Sequence, residues 1–595
     1  MKRILSCLTA LALAAALTAP MASAAYTDVP AGSSLAAEVQ KAANYGLMNG
    51  YSAGIFGYSD SMTRAQFVAV VGRMLGWFQG MHSTGNHITS AMKIPETLSG
   101  SYLDAINFAV EYDVVDTNVA FRPNDPVTRR DMAEILVRAL GLKEAAAIAE
   151  KQNTLPFTDV KSGKGYISIA YTIGMTNGTS ATTFSPDATA TRGQAAAMLV
   201  RIYEKLNEKT DFIHGFYAIS SYSQLSYART MDAVSAGWSR MTWDGAEARL
   251  STTSAGGNEY CVPSGYQDVT SALQSYGTDL KLEVYMDTSD GLRDMLASAE
   301  GRTQAVNGIA GELTVAYQKL GRNPYSGVTV DFEGLRAEHK ANYTAFIQEL
   351  AARVHGMGKT LYVCVAPVLT TGPYYDGYDY RAIGDAADKV ILMAHDYDAR
   401  SLAGFEGTDY QKTTSAAPLG QVYMSLQAIT DKTTGVRDVS KVVLGFSCKN
   451  IAWKVDENGR LLDPTPVYPT NETVYKRLNQ ADTVHGWSGT YHNRYAIYTT
   501  ETGERWYLVY EDDRSVQDKL NAAKLLGVSG VSIWRLGTMP AYSDWNWSSL
   551  GGEDIFLDLF EVFPEFLRLN INGKSGAKNV FLYNPDSRCR IDQLT

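Results

Sequence analysis

Beyond about Asp211 the chain alternates short β-branched and aromatic runs with stretches of helical spacing. Strand-like runs fall at 212–217, 233–238, 281–286, 327–333, 360–365, 390–395, 442–446 and 530–534. Helical patterns separate several of them, notably at 302–319, 340–355 and 515–526. Such alternation builds a parallel sheet, because parallel neighbours need a crossover and a helix supplies it. Eight strand candidates over this span fit an α/β fold of the (β/α)8 TIM barrel type; a doubly wound open sheet is the alternative. Residues 451–511 are long for one connection and hold Tyr-rich alternating runs. They predict a small α+β insertion on the ligand side of the barrel. An amphipathic stretch at 554–560 is a candidate closing helix within a C-terminal extension, 551–595, whose role is open.

The 595-residue chain exceeds one ordinary domain, and its N-terminal part repeats itself. Three segments contain Phe56-Gly57-Tyr58-Ser59-Asp60, Phe121-Arg122-Pro123-Asn124-Asp125 and Phe184-Ser185-Pro186-Asp187, each followed by Thr-Arg: Thr63-Arg64, Thr128-Arg129 and Thr191-Arg192. The regular spacing of these arginines marks a structural repeat. Each Thr precedes an apolar helical run and is a good N-cap. Gln66, Asp131 and Gln194 stand three residues later, and Gln there fits a capping box. An Arg at the first helical position is expected to point out beside the helix N-terminus, where free N–H groups and the helix dipole favour an anion. Caps on a solvated face are the plainer reading. The openings Tyr26-Thr27-Asp28-Val29 and Phe157-Thr158-Asp159-Val160, with the Thr-Arg elements, resemble S-layer homology repeats; the middle opening, Tyr102-Leu103-Asp104, lacks the Asp-Val pair. The resemblance implies an all-α-rich module of three repeats, at 25–80, 98–145 and 155–207. It also implies that Arg64, Arg129 and Arg192 grip an anionic secondary cell-wall polymer.

Lys2-Arg3, the apolar run to Leu17 and Ala22-Ser23-Ala24 read as a secretory signal peptide, 1–24. The run is short for a membrane anchor, and no later stretch is long and apolar enough to span a bilayer, so a secreted protein at the cell wall or S-layer surface is expected. The four cysteines beyond the leader, Cys261, Cys364, Cys448 and Cys589, show no metal-type spacing. Cys364 and Cys448 sit in or beside apolar runs, as buried thiols do; export permits a disulfide without choosing a pairing. A net charge of −10 without a basic stripe argues against a nucleic-acid partner.

The chemistry concentrates in Gly327-Val328-Thr329-Val330-Asp331-Phe332-Glu333. Alternate residues of a strand share a face. With Val328, Val330 and Phe332 toward outer helices, Thr329, Asp331 and Glu333 face the barrel axis. The two acids fall at the strand's C-terminal end, where such barrels hold their active sites. Repulsion and burial raise one pKa of such a pair, which suits a general acid at neutral pH. A buried ion pair would use the same residues, and so would a metal site if acids from other strands joined it.

This strand resembles the catalytic strand of glycoside hydrolase family 18, whose pattern Asp-x-x-Asp-x-Asp-x-Glu reads here Ser326, Thr329, Asp331 and Glu333. The likeness is to the family's spore-germination and peptidoglycan-glucosaminidase branch and extends along a barrel domain placed at 211–550. Val390-Ile391-Leu392-Met393-Ala394-His395-Asp396-Tyr397 is similar to the family's sixth strand, with His395 where Tyr is usual. Gly530-Val531-Ser532-Ile533-Trp534 is similar to the eighth, and Gly215-Phe216-Tyr217 to the first.

The resemblance implies hydrolysis of β-1,4 linkages in an N-acetylglucosamine-containing glycan, peptidoglycan before chitin, with no metal or organic cofactor. Catalysis would be substrate-assisted and retaining: the 2-acetamido oxygen is the nucleophile, Glu333 the acid and base, Asp331 the orienting partner of the acetamido group, and Asp396 a further positioning group. Tyr217, Met393, His395, Tyr397 and Trp534 would line the sugar site. A neutral His395 ring could donate where Tyr does; a protonated one would add pH dependence near about 6.5; or the ring packs beside the strand. Two other readings are a wall lectin without turnover and a structural S-layer protein with an inert barrel.

Overall fold

The computed structural model describes residues 26–76, 87–98, 100–152, 155–367 and 376–539. The leader at 1–24, Cys589 and the candidate helix at 554–560 lie outside the described residues. None of the described helices is long and apolar enough to cross a membrane.

The thirteen strands, in chain order, are β1 (Phe212–Tyr217), β2 (Ala233–Trp243), β3 (Ala248–Ser251), β4 (Asp279–Met286), β5 (Gly327–Phe332), β6 (Thr360–Val365), β7 (Lys389–Met393), β8 (Val442–Ser447), β9 (Ile451–Val455), β10 (Val484–Ser488), β11 (Asn493–Thr499), β12 (Arg505–Tyr510) and β13 (Gly530–Trp534). Eight of them, β1, β2, β4, β5, β6, β7, β8 and β13, pair in parallel in that order. Because β1 pairs with both β2 and β13, the sheet closes into a (β/α)8 barrel rather than a doubly wound open sheet. β3 is an antiparallel flap on the extended end of β2. The 451–511 insertion is α+β, as expected: an antiparallel sheet in the order β10-β11-β12-β9 with the helix Asn471–Leu478. The helix expected at 302–319 runs instead over Ala299–Glu312. The Asn323 amide caps its exit, donating to the carbonyls of Glu312 and Val315.

The side-chain parity of β5 follows its period of two. Phe332 stacks outward on Phe346 of the helix Lys340–His355, while Thr329 and Asp331 turn inward. At the N-terminal end of the barrel the wholly buried Lys281 ammonium is coordinated by Asp279, Ser326 and Thr360 at 2.7–3.1 Å. One layer up, a hydrogen-bonded chain crosses the barrel. Ser532 Oγ meets His214 Nδ1 at 2.7 Å, His214 Nε2 meets Ser235 Oγ at 2.7 Å, and Ser235 Oγ meets Thr329 Oγ1 at 2.5 Å. Ser326 and Thr329, the two departures from the acidic pattern, therefore belong to the polar floor of the barrel.

In the repeat module all three capping boxes are formed, by Thr63 with Gln66, Thr128 with Asp131 and Thr191 with Gln194. The repeats close into a ring. Arg64 N–H and Ala65 N–H donate to Asp125 and Pro123 carbonyls of the second repeat. Arg129 and Arg130 do the same to Ala188 and Pro186 of the third, and Arg192 and Gly193 to Asp60 and Tyr58 of the first. The guanidinium groups follow the same route. Arg64 reaches Phe121 O and the Asp131 carboxylate, Arg129 reaches Phe184 O and Asn177 O, and Arg192 reaches Phe56 O and Asn49 O. Arg192 is only 7 % exposed and lies over the Tyr51 ring, 4.5 Å from its centroid.

The outward-pointing arginines and free helix N-termini expected from the sequence are thus corrected. The next repeat's turn consumes both, because a helix N-terminus finds backbone carbonyls as readily as a soluble anion. The Asp of each regular opening supports that turn: Asp28 accepts from the N–H groups of Phe56, Gly57 and Tyr58, and Asp159 from those of Phe184 and Ser185. A cavity of ≈ 220 Å³ remains beside Arg192, lined also by Asn49, Tyr51, Gln66, Arg73 and Tyr102.

The module docks on the barrel through two reciprocal caps. Lys205 Nζ donates to Leu525 O, the last carbonyl of the helix Asp513–Leu525, and Lys524 Nζ donates to Leu206 O, the last of Arg192–Leu206. Each ammonium sits at the negative end of the other helix.

Two outcomes follow from these contacts. Arg192→Ala leaves the buried Phe56 carbonyl and the part-buried Asn49 carbonyl without this donor, each bond worth about 2 kcal/mol for a charged donor. It should lower the repeat module's calorimetric melting temperature by about 5 °C or more, with Arg192→Lys between; an unchanged midpoint would contradict the ring. The second concerns His214. Burial, then the Lys281 charge, pushes its ring down to about 3. Between about 3 and 6.5 the unfolded chain binds a proton that the folded chain refuses, so stability is full above 6.5 and falls with pH below it. His214→Asn should flatten the dependence of unfolding free energy on pH between 6 and 4 by about 1.4 kcal/mol per pH unit, read from urea titrations; parallel wild-type and variant curves would show that the ring does not titrate this way.

Candidate active site

The C-terminal ends of the barrel strands gather three carboxyl groups at depth, Glu283 joining the Asp331–Glu333 pair read from the sequence. Asp331 and Glu333 come from β5, and Glu283 comes from β4, opposite Thr329 in the strand register. Asp331 and Glu283 are each only 1 % exposed, and Glu333 is half-buried at the mouth. Glu333 N–H donates to Met286 O at 2.9 Å, which extends the β4–β5 ladder by one residue and fixes the carboxyl above Asp331. Gly334 follows with φ +79, where an added Cβ would come within 2.9 Å of Thr288, so the strand turns away at once.

Burial pushes the Glu333 carboxyl above the usual carboxylate range; Asp396 and Asp287 add to this, while His395 and Arg400 oppose it. Burial, then the Glu333 charge, holds Asp331 well above its ordinary value, opposed by hydrogen bonds from the Cys364 thiol and Glu283. Glu283 is raised still by burial first, then by the two neighbouring acids. Among these side chains Glu283 Oε1 and Asp331 Oδ1 are buried without a hydrogen-bond partner. Cys364 and Cys448 are buried free thiols, and so is Cys261.

Aromatic and charged groups rim the carboxyls. Trp534, at the end of β13, meets Phe216 edge-on at 4.9 Å, and both pack with the inward Met393. Tyr260 and Tyr285 stack in parallel, 4.4 Å apart, beneath the Arg240 guanidinium, which pairs with Asp290 at 2.9 Å. Burial and the charges of Glu283, Asp331 and Glu333 raise the Tyr260 phenol, which keeps it a hydrogen-bond donor facing the acids. Asp396 sits in the left-handed region, φ +61, a conformation that side chains other than Gly rarely adopt. Lys449 Nζ and His395 Nδ1 hold it at 2.8 and 3.2 Å. Although burial works against it, these two partners keep the Asp396 carboxylate far below its ordinary range. Lys449 also bonds Asp398 Oδ1, whose other oxygen accepts from Tyr468 OH of the insertion.

The structure brings together Glu333, Asp331, Asp396, Met393, His395 and Trp534. Two other candidates are corrected. Tyr217 has the opposite parity to the inward His214 and Phe216; it is 2 % exposed, with its ring edge-on to Trp238 on the helix side. Phe216 occupies the pocket face in its place. Tyr397 turns outward, and its OH meets Ser425 Oγ of the helix Leu419–Ile429 at 2.7 Å. Sequence reasoning missed Glu283, Tyr260, Tyr285 and Lys449. For Glu283 and Tyr285 a signal existed, since they alternate with apolar residues in Lys281-Leu282-Glu283-Val284-Tyr285; Tyr260 and Lys449 lie in connections with none.

The sequence model of Glycosyl hydrolases family 18 matches residues 187–538, more than half of the chain, and that of the S-layer homology domain matches 25–68, 94–133 and 156–196. The cortical fragment-lytic enzyme of Bacillus subtilis (strain 168) is 27 % identical over 220 residues, 36 % of this chain and 47 % of that protein. The protein of the same name from Bacillus anthracis is 24 % identical over 219 residues, again 36 % and 47 %. The chain thus spans about half the length of the curated relatives it matches. Among solved structures, the Bacillus cereus spore cortex-lytic enzyme SleL aligns with a TM-score of 0.42 at 18 % identity, over 59 % of this chain and 76 % of that one. The chitinase from Chromobacterium violaceum ATCC 12472 aligns with a TM-score of 0.43 at 20 % identity, over 57 % and 98 %. On the extent of the family match, the chain belongs to the glycosyl hydrolases of family 18, with three S-layer homology domains ahead of its barrel.

Proposed function

We propose that this protein is a secreted, wall-attached glycosidase that cuts β-1,4 linkages in a glycan containing N-acetylglucosamine, with peptidoglycan its substrate rather than chitin. The observation that carries the reading is the vertical pair on β5. A half-buried Glu333 with a raised pKa sits at the mouth, and a buried Asp331 lies below it with one oxygen unpartnered. The mouth can protonate a leaving oxygen, and the depth can accept a hydrogen bond from an amide N–H. The wall-lytic relatives and the S-layer homology repeats support a wall glycan, and the leader at 1–24 supports export.

The steps balance on these residues. The acetamido carbonyl oxygen of the sugar attacks its own C1. The C1–O bond breaks, and its electron pair leaves on the glycosidic oxygen, which takes the Glu333 proton. Asp331 accepts the acetamido N–H and offsets the positive charge of the cyclic intermediate. Glu333, now a carboxylate, removes a proton from water; the water oxygen attacks C1, the acetamide is restored and the configuration is retained. Trp534, Phe216 and Met393 form an apolar floor for the sugar ring. Asp396, braced by Lys449 and His395, orients the acetamido group. Arg64, Arg129 and Arg192 hold the repeat ring that binds the anionic wall polymer, and the cavity beside Arg192 and Arg73 is one place in that ring with room for an anionic group.

Glu333→Gln removes the transferable proton and leaves the pocket's shape. It should lower kcat for release of reducing ends from purified peptidoglycan by about 10³-fold, with glycan binding retained; activity near wild type would end the assignment. If wild type binds an N-acetylglucosamine oligomer without turnover, the barrel is a lectin. For attachment, the whole protein should co-sediment with native walls and fail to do so once the anionic polymer has been extracted from them. Equal binding to both would place the anchor elsewhere.

A further inference from the structure

The pattern Asp-x-x-Asp-x-Asp-x-Glu that this strand resembles has an acid at the position of Thr329, next below Asp331 on the inner face of β5. Here that position is neutral, and the Thr329 hydroxyl is committed to Ser235 in the floor network at 2.5 Å. Glu283 stands directly across from Thr329 in the β4–β5 register, with a side chain one carbon longer than Asp. Its carboxyl lies against Gly237 of β2, where an added Cβ would come within 3.1 Å of Glu283 Oε2. The groups facing Glu283 are Asp331 and Glu333 from β5, Cys364 from β6, Arg535 after β13, and Tyr260 from the connection after β3. Arg535 and the Cys364 thiol are the groups here besides Tyr260 that can offset negative charge, and Cys364 already serves Asp331.

We propose that Glu283 is a positioning residue of this active site: a neutral carboxylic acid, supplied by β4 where β5 has Thr329, that donates a hydrogen bond to Asp331 and fixes its orientation. Both carboxyls are 1 % exposed, and a hydrogen bond between them needs a proton on one; Asp331 already accepts from the Cys364 thiol, which places the shared proton on Glu283. The bond engages one Asp331 oxygen and leaves Oδ1, buried and unpartnered, for substrate. Asp331 then carries the anionic charge of the pair at the moment a positive charge develops above it.

The inference rests on the glycosidase reading for its kinetic consequence, though not for the protonation state itself. Glu283→Gln keeps a donor and should retain kcat within about tenfold at neutral pH. Glu283→Ala removes the donor and should lose about 100-fold or more in kcat with KM changed little. Adding Thr329→Asp to Glu283→Ala returns a carboxyl from the opposite register position and should recover about tenfold. A Glu283→Ala variant within threefold of wild type, a Glu283→Gln variant as poor as Ala, or no recovery on Thr329→Asp each overturns the proposal. Circular dichroism and a thermal melt on each variant separate a lost fold from a lost donor. An independent readout needs no turnover: with ¹³C-labelled glutamate, the infrared difference between wild type and Glu283→Gln at pH 7 should show a protonated-carboxyl carbonyl band. Its absence overturns the proposal whatever the kinetics. Its presence in a protein that cuts no glycan would sink the glycosidase reading and leave Glu283 as described.

Discussion

Glu283, Asp331 and Glu333 meet where eight strands exclude water, and three carboxylates cannot all keep their charges in such a place. Each would lose its hydration and repel the other two, so protons must remain on part of the set. Much of the barrel interior follows from that constraint. The layer beneath is neutral: His214 stays uncharged between two serine hydroxyls, and Thr329 closes the chain. The Lys281 ammonium is held a layer lower, where Asp279 and two hydroxyls complete its coordination. Cations near the mouth stand at the rim: Lys449 pairs with Asp396 and Asp398, and Arg240 with Asp290.

The same logic assigns different tasks to similar groups. Asp396 is braced by an ammonium and an imidazole and stays ionised, whereas Glu333, two strands away and more deeply set, holds its proton more tightly because burial outweighs the pull of His395 and Arg400. Environments that push titratable groups apart are how one pocket carries both an acid and an anion. The insertion takes part through Tyr468, whose hydroxyl anchors Asp398 and whose ring lies under Lys449. A segment inserted after β8 therefore holds a carboxylate presented after β7 in place.

The repeat module shows a second use of polar pairing. Three Thr-Arg helix starts turn their N–H groups and guanidinium groups into the next repeat, so each helix N-terminus is satisfied by protein. Three short repeats that could not bury a core alone close on one another. The lysine caps exchanged between Arg192–Leu206 and Asp513–Leu525 then join that ring to the barrel.

The eight strands, the capping boxes, the α+β insertion and the pair Asp331–Glu333 were all legible in the sequence. Each rests on spacing along the chain: a period of two puts Asp331 and Glu333 on one face, and a Thr three residues before Gln66 or Gln194 closes a cap. That same spacing, applied to β1, separates Phe216 from Tyr217. The error there was to read a likeness without its parity, and Tyr397 fell the same way once the chain left β7. What the sequence could not carry is position across strands. Glu283 lies beside Asp331 because of the register between β4 and β5. The guanidinium of Arg192 is buried because the third repeat folds back on the first, across more than a hundred residues. Alternation and capping are set by bonds between near neighbours, so they are written locally. Which carboxyl shares which proton is set by contacts that exist only after the barrel has closed.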